Sequence, residues 1–415
     1  MNQIKPMLLT TLKSYDRSQF VKDVTAGIIV AIIALPLSIA LALASGVGPQ
    51  AGIFTAIVAG FVISAFGGSS VQIAGPTAAF ATIVAGIVAK DGLDGLVIST
   101  ILAGIFLILM GLCHFGSLIK FIPYTITTGF TSGIAVTIVI GQLKDFFGVT
   151  YPNGLKPIET MEKLNAFALG FSSFHVDALI VGGVSLAILI ISPYIFKRIP
   201  GSLIAVVIGI LMVKFLPLHV STIGNLYTIT NDLPSFHIPA VKFSMVKSAI
   251  PNAFTIAVLA AIESLLSCVV ADGMINGKHR SDTELVAQGL GNIASALFGG
   301  IPATGAIART AANIKNGEKD NIIYMGHAAI HTDEAKVYVN DKSIELTALE
   351  YRLLLIFASN KGILLTRQQI LDKIWDADGN FVEDNTLTVY VKRLREKLGE
   401  AIHIETVRGM GYRVD

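Results

Sequence analysis

The stretch 66–80 reads FGGSSVQIAGPTAAF, and a second stretch, 298–309, reads FGGIPATGAIAR. In both stretches a Phe-Gly-Gly triplet ends one apolar run, and residues rich in Pro, Gly and Thr open another, shorter run. Paired interrupted segments are typical of inverted-repeat transporters, in which half-helices begin near the middle of the bilayer. Two facing half-helix N-termini offer free N–H groups and positive dipole ends, which suit an anion. The alternative is that Gly and Pro here only permit close packing of membrane helices.

The composition of the chain indicates a membrane protein. Hydrophobic residues make up 53% of its 415 residues and charged residues 14%, and the mean hydropathy is +0.68. An ordinary soluble domain carries about 25% charged residues. The charges are segregated, because long apolar runs fill 23–314 whereas charged residues recur every few positions from 321 onward. The sequence therefore predicts an α-helical polytopic membrane part followed by a soluble domain.

Run length, charges and Gly/Pro breaks divide the apolar part into ten candidate spans, two of them short. The spans cover 24–45, 49–66, 76–89, 93–114, 122–143, 175–196, 201–217, 249–271, 284–299 and 304–315. With 1–22 as a cytoplasmic N-terminal segment, Lys120, Arg198 and Arg280 fall on the cytoplasmic side, as the positive-inside rule requires. We therefore expect a multi-pass protein of the bacterial cytoplasmic membrane with both termini in the cytoplasm.

Several stretches resemble the bacterial SulP family of anion transporters. They are 34–40 (ALPLSIA), 72–80 (QIAGPTAAF), 261–267 (AIESLLS), 270–274 (VADGM) and 300–313 (GIPATGAIARTAAN). The resemblance covers about 15–318 and implies an inverted repeat of seven plus seven segments, divided into a core and a gate. It also implies an anionic substrate, such as sulfate or bicarbonate, between the N-termini of the third and tenth segments.

The same resemblance assigns the substrate-binding residues by position. The two half-helices would open at Gly75, Pro76, Thr77 and Ala78 and at Thr304, Gly305 and Ala306, and their backbone N–H groups, which Pro76 lacks, would be donors to the anion. Glu263 and Ser267 are four residues apart and share one helix face, and a carboxylate within a span is a functional candidate. The resemblance implies sodium or proton coupling there, whereas a structural tie to a neighbouring helix is the alternative for Glu263. Arg309 either adds positive potential to the pocket or anchors the cytoplasmic helix end by snorkelling.

The resemblance to the SulP family ends near Gly317. Where the family would continue into segments eleven to fourteen, the sequence changes character, so the second repeat is incomplete. We therefore expect a truncated transmembrane domain over 23–318, a junction over 319–329, and no transport by this chain alone.

The rest of the chain has the pattern of a small α+β winged-helix domain over 330–415. Residues 336–339 and 343–346 flank Asn340-Asp341 and predict a hairpin. Thr347 with Glu350, and Thr366 with Gln369, are capping boxes that each open a helix. A third helix repeats its apolar residues at 387, 391, 394 and 398. A strand pair, 404–408 and 412–414, then turns at Gly409-Met410-Gly411. A hairpin, three helices and a wing make a winged-helix plan, in which the third helix reads DNA.

This tail resembles the C-terminal effector domain of OmpR/PhoB-type response regulators. The stretches that carry the resemblance are 346–351 (LTALEY), 389–395 (VYVKRLR) and 406–413 (TVRGMGYR). It implies DNA contacts from Thr388, Lys392, Arg393 and Arg395 on the third helix and from Arg408, Tyr412 and Arg413 at the wing. Acidic residues slightly outnumber basic ones in the tail, so any DNA affinity depends on local clustering. A solvated charged helix face is the alternative.

Three interpretations of the whole chain remain open. The first is a membrane-anchored transcriptional regulator derived from a transporter. The second is an anion transporter of the sulfate or bicarbonate class whose missing helices come from partner chains. The third is an accidental, non-functional fusion of two genes. The expected partners are a small inorganic anion, membrane lipid and double-stranded DNA, with a homodimer left open. The sequence offers neither a catalytic constellation nor a cofactor motif, so no enzyme is predicted.

Overall fold

The computed structural model divides the chain into two compact units, Met1–Gly317 and Glu318–Asp415. The second unit begins before the boundary at 330 that the sequence suggests. The structure describes residues 4–121, 124–155, 157–195, 201–228, 232–239, 243–275, 277–317, 322–331, 336–339, 342–358, 360, 362–375, 384–407 and 409–414.

The first unit is almost entirely helical. Its helices are α1 (Leu8–Thr11), α2 (Arg17–Ala44), α3 (Pro49–Phe66), α4 (Ala81–Leu112), α5 (Tyr124–Phe146), α6 (Thr160–Gly170), α7 (Val176–Ile195), α8 (Gly201–Phe215), α9 (Ile223–Leu226), α10 (Phe243–Ile275), α11 (Ser281–Leu297) and α12 (Ile307–Gly317). Helix α4 is broken at Gly92, whose φ of 72° lies in the left-handed region that glycine enters without a Cβ clash. The break separates the spans predicted at 76–89 and 93–114.

Five stretches of the described chain are long and apolar enough to cross a membrane. They are Arg17–Ala44, Pro49–Phe66, Ala78–Leu112, Val176–Ile195 and Met245–Ile275, and the apolar helix Gly201–Phe215 is shorter. Each of the ten predicted spans has a helix at its place in the chain. The number of crossings and the side on which each terminus lies stay predictions.

Helices α3, α4, α10 and α11 enclose the apolar core of the first unit. Fully buried side chains there include Phe80, Leu107, Ile256 and Leu285. Helices α4 and α11 touch backbone to backbone, because a Cβ on Gly104 would lie 2.6 Å from the Gly289 carbonyl oxygen. Such contacts between small residues replace the hydrophobic effect as the packing force between helices in lipid.

In its described residues the second unit has two antiparallel sheets and three helices. Its strands are β3 (Ile322–Met325), β4 (Ala328–His331), β5 (Lys336–Val339), β6 (Lys342–Ile344), β7 (Leu365–Thr366), β8 (Ile404–Val407) and β9 (Gly411–Val414). The sheets have the orders β3-β4-β5-β6 and β7-β9-β8. The helices are α13 (Ala348–Ala358), α14 (Arg367–Trp375) and α15 (Asp384–Leu398). Strand β3 and the first two residues of β4 fall in the stretch 319–329 predicted as a junction, and β4 covers the edge of the hairpin β5-β6.

Both predicted capping boxes of the second unit are present. The Thr347 amide donates to Glu350 Oε2 over 2.8 Å, and the Glu350 amide donates to Thr347 Oγ1. Thr366 and Gln369 make the same reciprocal pair at the start of α14. The periodic residues of α15 are buried as predicted, with Leu387, Val391, Leu394 and Leu398 at 2% exposure or less. The winged-helix plan is therefore confirmed, whereas the predicted turn at Asn340-Asp341 lies outside the described residues.

Candidate anion site and DNA-contact helix

The two lead-ins, defined as 72–77 before α4 and 301–306 before α12, meet in a short antiparallel ladder. Strand β1 (Ala74–Gly75) pairs with β2 (Thr304–Gly305), with Gly75 opposite Thr304. A 3-10 turn, Ala78–Phe80, follows β1, and α12 follows β2. The starts of the third and tenth segments therefore lie side by side, and the anion site predicted between them stays a prediction. The first N–H groups of each helix have no partner within the helix, so both starts are equipped to bind an anion.

Arg309 connects the tenth segment to the third. Its side chain is 2% exposed, and Nη2 donates to the Pro76 carbonyl oxygen over 3.0 Å. Within the described part of the chain, Nε and Nη1 are buried without a hydrogen-bond partner. A snorkelling arginine would reach toward water instead. Arg309 thus brings a positive charge and unused donors to the lead-ins, which fits the first of its two predicted roles.

Glu263 lies on α10 opposite the first lead-in. Its Oε2 accepts a hydrogen bond of 2.9 Å from the Thr77 hydroxyl. Ser267, one turn further along α10, lies 3.5 Å from the Thr310 hydroxyl of α12, and Thr310 in turn accepts the Ile73 amide. This face of α10 therefore contacts both the third and the tenth segments.

Two polar groups of the second lead-in, one of them a predicted backbone donor, are engaged within the protein. The Ala306 amide donates to the Ile73 carbonyl over 2.9 Å, which extends the pairing of the two lead-ins by one residue. The Thr304 hydroxyl donates to the Ala260 carbonyl of α10. These two groups hold the lead-ins in place, so the donors left for a ligand are those of the helix starts and of Arg309.

A second buried carboxylate, Glu284, was not singled out from the sequence. It lies in the first turn of α11 at 1% exposure and accepts from Gln72, Ser264 and Gln288 on Oε1 and from the Gly68 amide on Oε2. The sequence interpretation placed Glu284 at the end of a span, where a charge is ordinary. The rule that a carboxylate within a span is a functional candidate would have identified it.

In the second unit, α15 presents the predicted DNA-contact residues unequally. Thr388, Lys392 and Arg393 are exposed. Lys392 lies 3.8 Å from Glu396 in a solvent-facing pair, and the guanidinium of Arg393 lies over the Tyr390 ring. Because these three side chains are exposed, they can reach a DNA groove without any change in the core of the domain.

The other predicted DNA contacts have partners inside the domain. Arg395 donates through Nε and Nη2 to the Ile404 carbonyl and through Nη2 to Thr406. Tyr412 is 3% exposed, and its hydroxyl accepts from Arg367. Arg413 pairs with Glu405 over 2.8 Å on the neighbouring strand. Arg395 therefore joins α15 to the wing sheet, and Tyr412 joins that sheet to the first residue of α14, while Arg408 lies outside the described residues.

Broken helices that begin side by side next to a buried arginine, within a bundle of long apolar helices, indicate a multi-pass membrane protein of the transporter class. Residues 20–330 match the sequence model of the sulfate permease family, and residues 341–414 match that of the C-terminal domain of transcriptional regulatory proteins. The chain belongs to the sulfate permease family, and its second unit is a winged-helix domain of the response-regulator type.

Similar proteins support this membership. The chain is 42% identical over 324 residues to "Putative sulfate transporter YvdB" of Bacillus subtilis, covering 77% of this chain and 60% of that protein. It is 34% identical to "Bicarbonate transporter BicA" of Picosynechococcus sp., covering 71% and 53%. The solved transmembrane domain of a cyanobacterial BicA superposes with a TM-score of 0.65 at 31% identity, covering 74% of this chain and 79% of that one. The chain thus spans little more than half the length of these curated relatives.

Proposed function

We propose that the first unit binds a small inorganic anion of the sulfate or bicarbonate class at the two lead-ins and, with further helices supplied by partner chains such as a second copy, acts as a secondary transporter of that anion. The observation that carries this proposal is the pairing of Gly75 with Thr304, which fixes two helix starts side by side. Arg309 supplies a full positive charge beside them. Each helix N-terminus adds up to about 2 kcal/mol for an anion in a partly buried setting. The names of two relatives, a putative sulfate transporter and a bicarbonate transporter, support this substrate class.

The coupling ion is sodium or a proton, and we place it at Glu263 and Ser267. The Glu263 carboxylate is the acidic group that contacts the first lead-in through Thr77. A cation bound there would offset the charge of the incoming anion. Oxygen ligands from a carboxylate and hydroxyls suit a hard cation such as sodium.

The second unit, in this proposal, binds double-stranded DNA through α15. The support is the exposed row of Thr388, Lys392 and Arg393 on a helix whose opposite face is buried. Wing contacts from Arg408 and Arg413 complete the predicted interface. A DNA-binding unit works only in the cytoplasm, so we place both termini there and the chain in the bacterial inner membrane.

A membrane-anchored transcriptional regulator is the second candidate function. The observation that favours it is the complete winged-helix core, in which both capping boxes and the buried face of α15 are intact. In that case the anion site would sense its ligand and need not transport it.

One experiment separates the two functions. The full-length protein is reconstituted in nanodiscs for equilibrium binding of radiolabelled sulfate and bicarbonate, and in proteoliposomes for uptake with and without sodium or proton gradients. Gradient-dependent uptake supports the transporter, and saturable binding without uptake supports the sensor. Absence of binding for every anion tested would contradict both. Failure of the chain to partition into the membrane fraction would contradict the topology.

A further inference from the structure

The Glu284 carboxylate joins three separate parts of the first unit. Oε1 accepts from Gln72 Nε2 over 2.9 Å and from Ser264 over 3.3 Å, and Oε2 accepts the Gly68 amide over 2.8 Å. Gly68 belongs to the glycine break before the first lead-in, and Ser264 belongs to α10. Side chains that satisfy several buried partners at once are costly to disturb, because each orphaned group loses its hydrogen bond without regaining water.

Gln72 is the partner that reaches the lead-ins. It is 5% exposed, and its Nε2 donates both to Glu284 and to Ser264 Oγ, the latter over 2.8 Å. Its Oε1 accepts the Cys268 thiol hydrogen over 2.6 Å. Both ends of the amide are therefore used, and this fixes its plane.

The Gln72 amide lies directly against the second lead-in. A Cβ on Gly305 would lie 2.2 Å from Gln72 Nε2 and 2.6 Å from Cδ. The backbone of β2 can approach so closely only because residue 305 is glycine. The Gln72 amide thus supports the β1-β2 ladder by direct contact with Gly305, and Glu284 on α11 holds that amide in position.

We propose that Glu284 and Gln72 form a positioning pair for the anion site: Glu284 fixes the Gln72 amide, and the amide sets the position of Gly305 relative to the first lead-in. This inference rests on the proposed anion binding. Neither residue needs to touch the anion. Their effect on affinity comes from holding two helix starts at the separation at which both can donate to one ligand.

The chain offers an exchange that tests the pair directly. Gln72→Glu alone puts two carboxylates side by side, and Glu284→Gln alone puts two amides there. The double variant restores one carboxylate and one amide across the same gap. In the double variant, the new amide on α11 would donate to the new carboxylate on the first lead-in. It would also donate to Gln288 Oε1 once the Gln288 amide has flipped. In the wild type this oxygen is buried without a partner in the described residues. The oxygen of the new amide still accepts the Gly68 N–H, and Ser264 donates to the new carboxylate.

The experiment measures the Kd of radiolabelled sulfate and bicarbonate for the full-length protein in nanodiscs, together with its thermal midpoint without anion. We expect each single variant to weaken binding about tenfold or more, the effect of one orphaned buried group, and the exchange to return the Kd to within about threefold of wild type. Thr100→Val is the matched control, because it removes a buried hydroxyl that bonds to Leu96 of its own helix. Its Kd should equal that of wild type. Single variants with wild-type Kd, or an exchange no better than the worse single variant, would overturn the proposal.

Two further arms cover the remaining outcomes. If a single variant does not fold, Ser264→Ala removes one donor to the same carboxylate and takes its place. If the wild type binds none of the anions, the proposed function fails, and the pair is judged by maleimide labelling of Cys268 in a Cys113→Ser background. Cys268 is fully buried against Gln72. Glu284→Gln should speed its labelling and the exchange should slow it again, whereas equal rates in all three proteins would refute the pair.

Discussion

The Thr77 hydroxyl donates a 2.9 Å hydrogen bond to Oε2 of Glu263, so the start of the third segment is tied to the middle of α10. A bound cation or a proton that changes the charge of Glu263 therefore alters the hydrogen bond to Thr77, at the proposed anion site. This contact offers a physical route by which a cation gradient can drive anion movement.

Glu263→Gln should uncouple the anion from its driving ion. The amide keeps the size of the side chain and can still accept from Thr77, but it carries no charge to balance a cation. We expect sulfate or bicarbonate binding that no longer responds to sodium or to pH. Isothermal titration with and without sodium, at two pH values, measures this. Thr77→Val, which removes this contact but leaves the carboxylate, should reduce the ion dependence without abolishing it. A sodium or pH response that persists in Glu263→Gln would contradict the assignment.

Gly75→Ala should weaken anion binding about tenfold or more. A Cβ at residue 75 would lie 2.2 Å from Arg309 Nη1, so the guanidinium must move, and the anion loses a charged hydrogen-bond partner worth about 1.5–3 kcal/mol. Gly86→Ala is the control in the same segment, since a Cβ there meets nothing within 4 Å. Equilibrium binding with both variants decides the point. Equal affinities would show that the position of Arg309 is unimportant.

The location of the candidate site could be predicted from the sequence, but its internal contacts could not. The repeated Phe-Gly-Gly and Pro/Gly/Thr pattern is a local signal, and it placed the helix starts only approximately: the spans predicted from 76 and 304 have α-helices from Ala81 and Ile307, with extended residues before them. The pairing of Gly75 with Thr304 joins residues far apart in the chain, and its register depends on packing rather than on local preference. Glu284 was missed because its burial follows from the close approach of α3, α4 and α11.

In the second unit, too, the local patterns could be predicted from the sequence and the contacts between distant residues could not. Capping boxes and the apolar period of α15 are local, and both were confirmed. Strands β3 and β4 are short, and they gave too weak a pattern to be recognised. Arg395 was expected on the DNA side by its position on the helix. A long side chain can bend back, however, and here it caps the Ile404 carbonyl.

Arg393→Ala in the isolated second unit should cost about 1–3 kcal/mol at a specific DNA site, the typical value of one good base contact. Lys392→Ala should instead lower the slope of log affinity against log salt by about one, as expected for a phosphate contact. Fluorescence anisotropy over a salt series, on a site selected from random DNA, measures both. Unchanged affinity and slope in these two variants would show that α15 does not read DNA.

Arg395→Ala should lower the thermal midpoint of the domain, because the Arg395 guanidinium bridges α15 to β8.

Glu350→Ala should destabilise the second unit at neutral pH, and the loss should disappear in acid. Burial alone raises the pKa of Glu350, but hydrogen bonds from Lys397 and Thr347 outweigh it and hold this pKa below its ordinary value. The Lys397 ammonium lies 2.7 Å from Oε2. A carboxyl whose pKa is lower in the folded state contributes stability above its unfolded pKa of about 4.3. That contribution is lost as the pH falls through the folded pKa.

The free energy of unfolding, measured by urea titration of the isolated second unit between neutral and acidic pH, tests this dependence. At neutral pH the variant should be about 1–3 kcal/mol less stable, the usual cost of breaking a buried hydrogen bond to a charged group. The difference from wild type should shrink below about pH 4, where the carboxyl is protonated in the unfolded chain and then in the folded one. Glu396→Ala removes a carboxylate that is exposed and 3.8 Å from its partner, and should change stability by less than about 1 kcal/mol at every pH. A difference between Glu350→Ala and wild type that stays constant with pH would mean that packing, and not the charge of Glu350, holds α13 against α15.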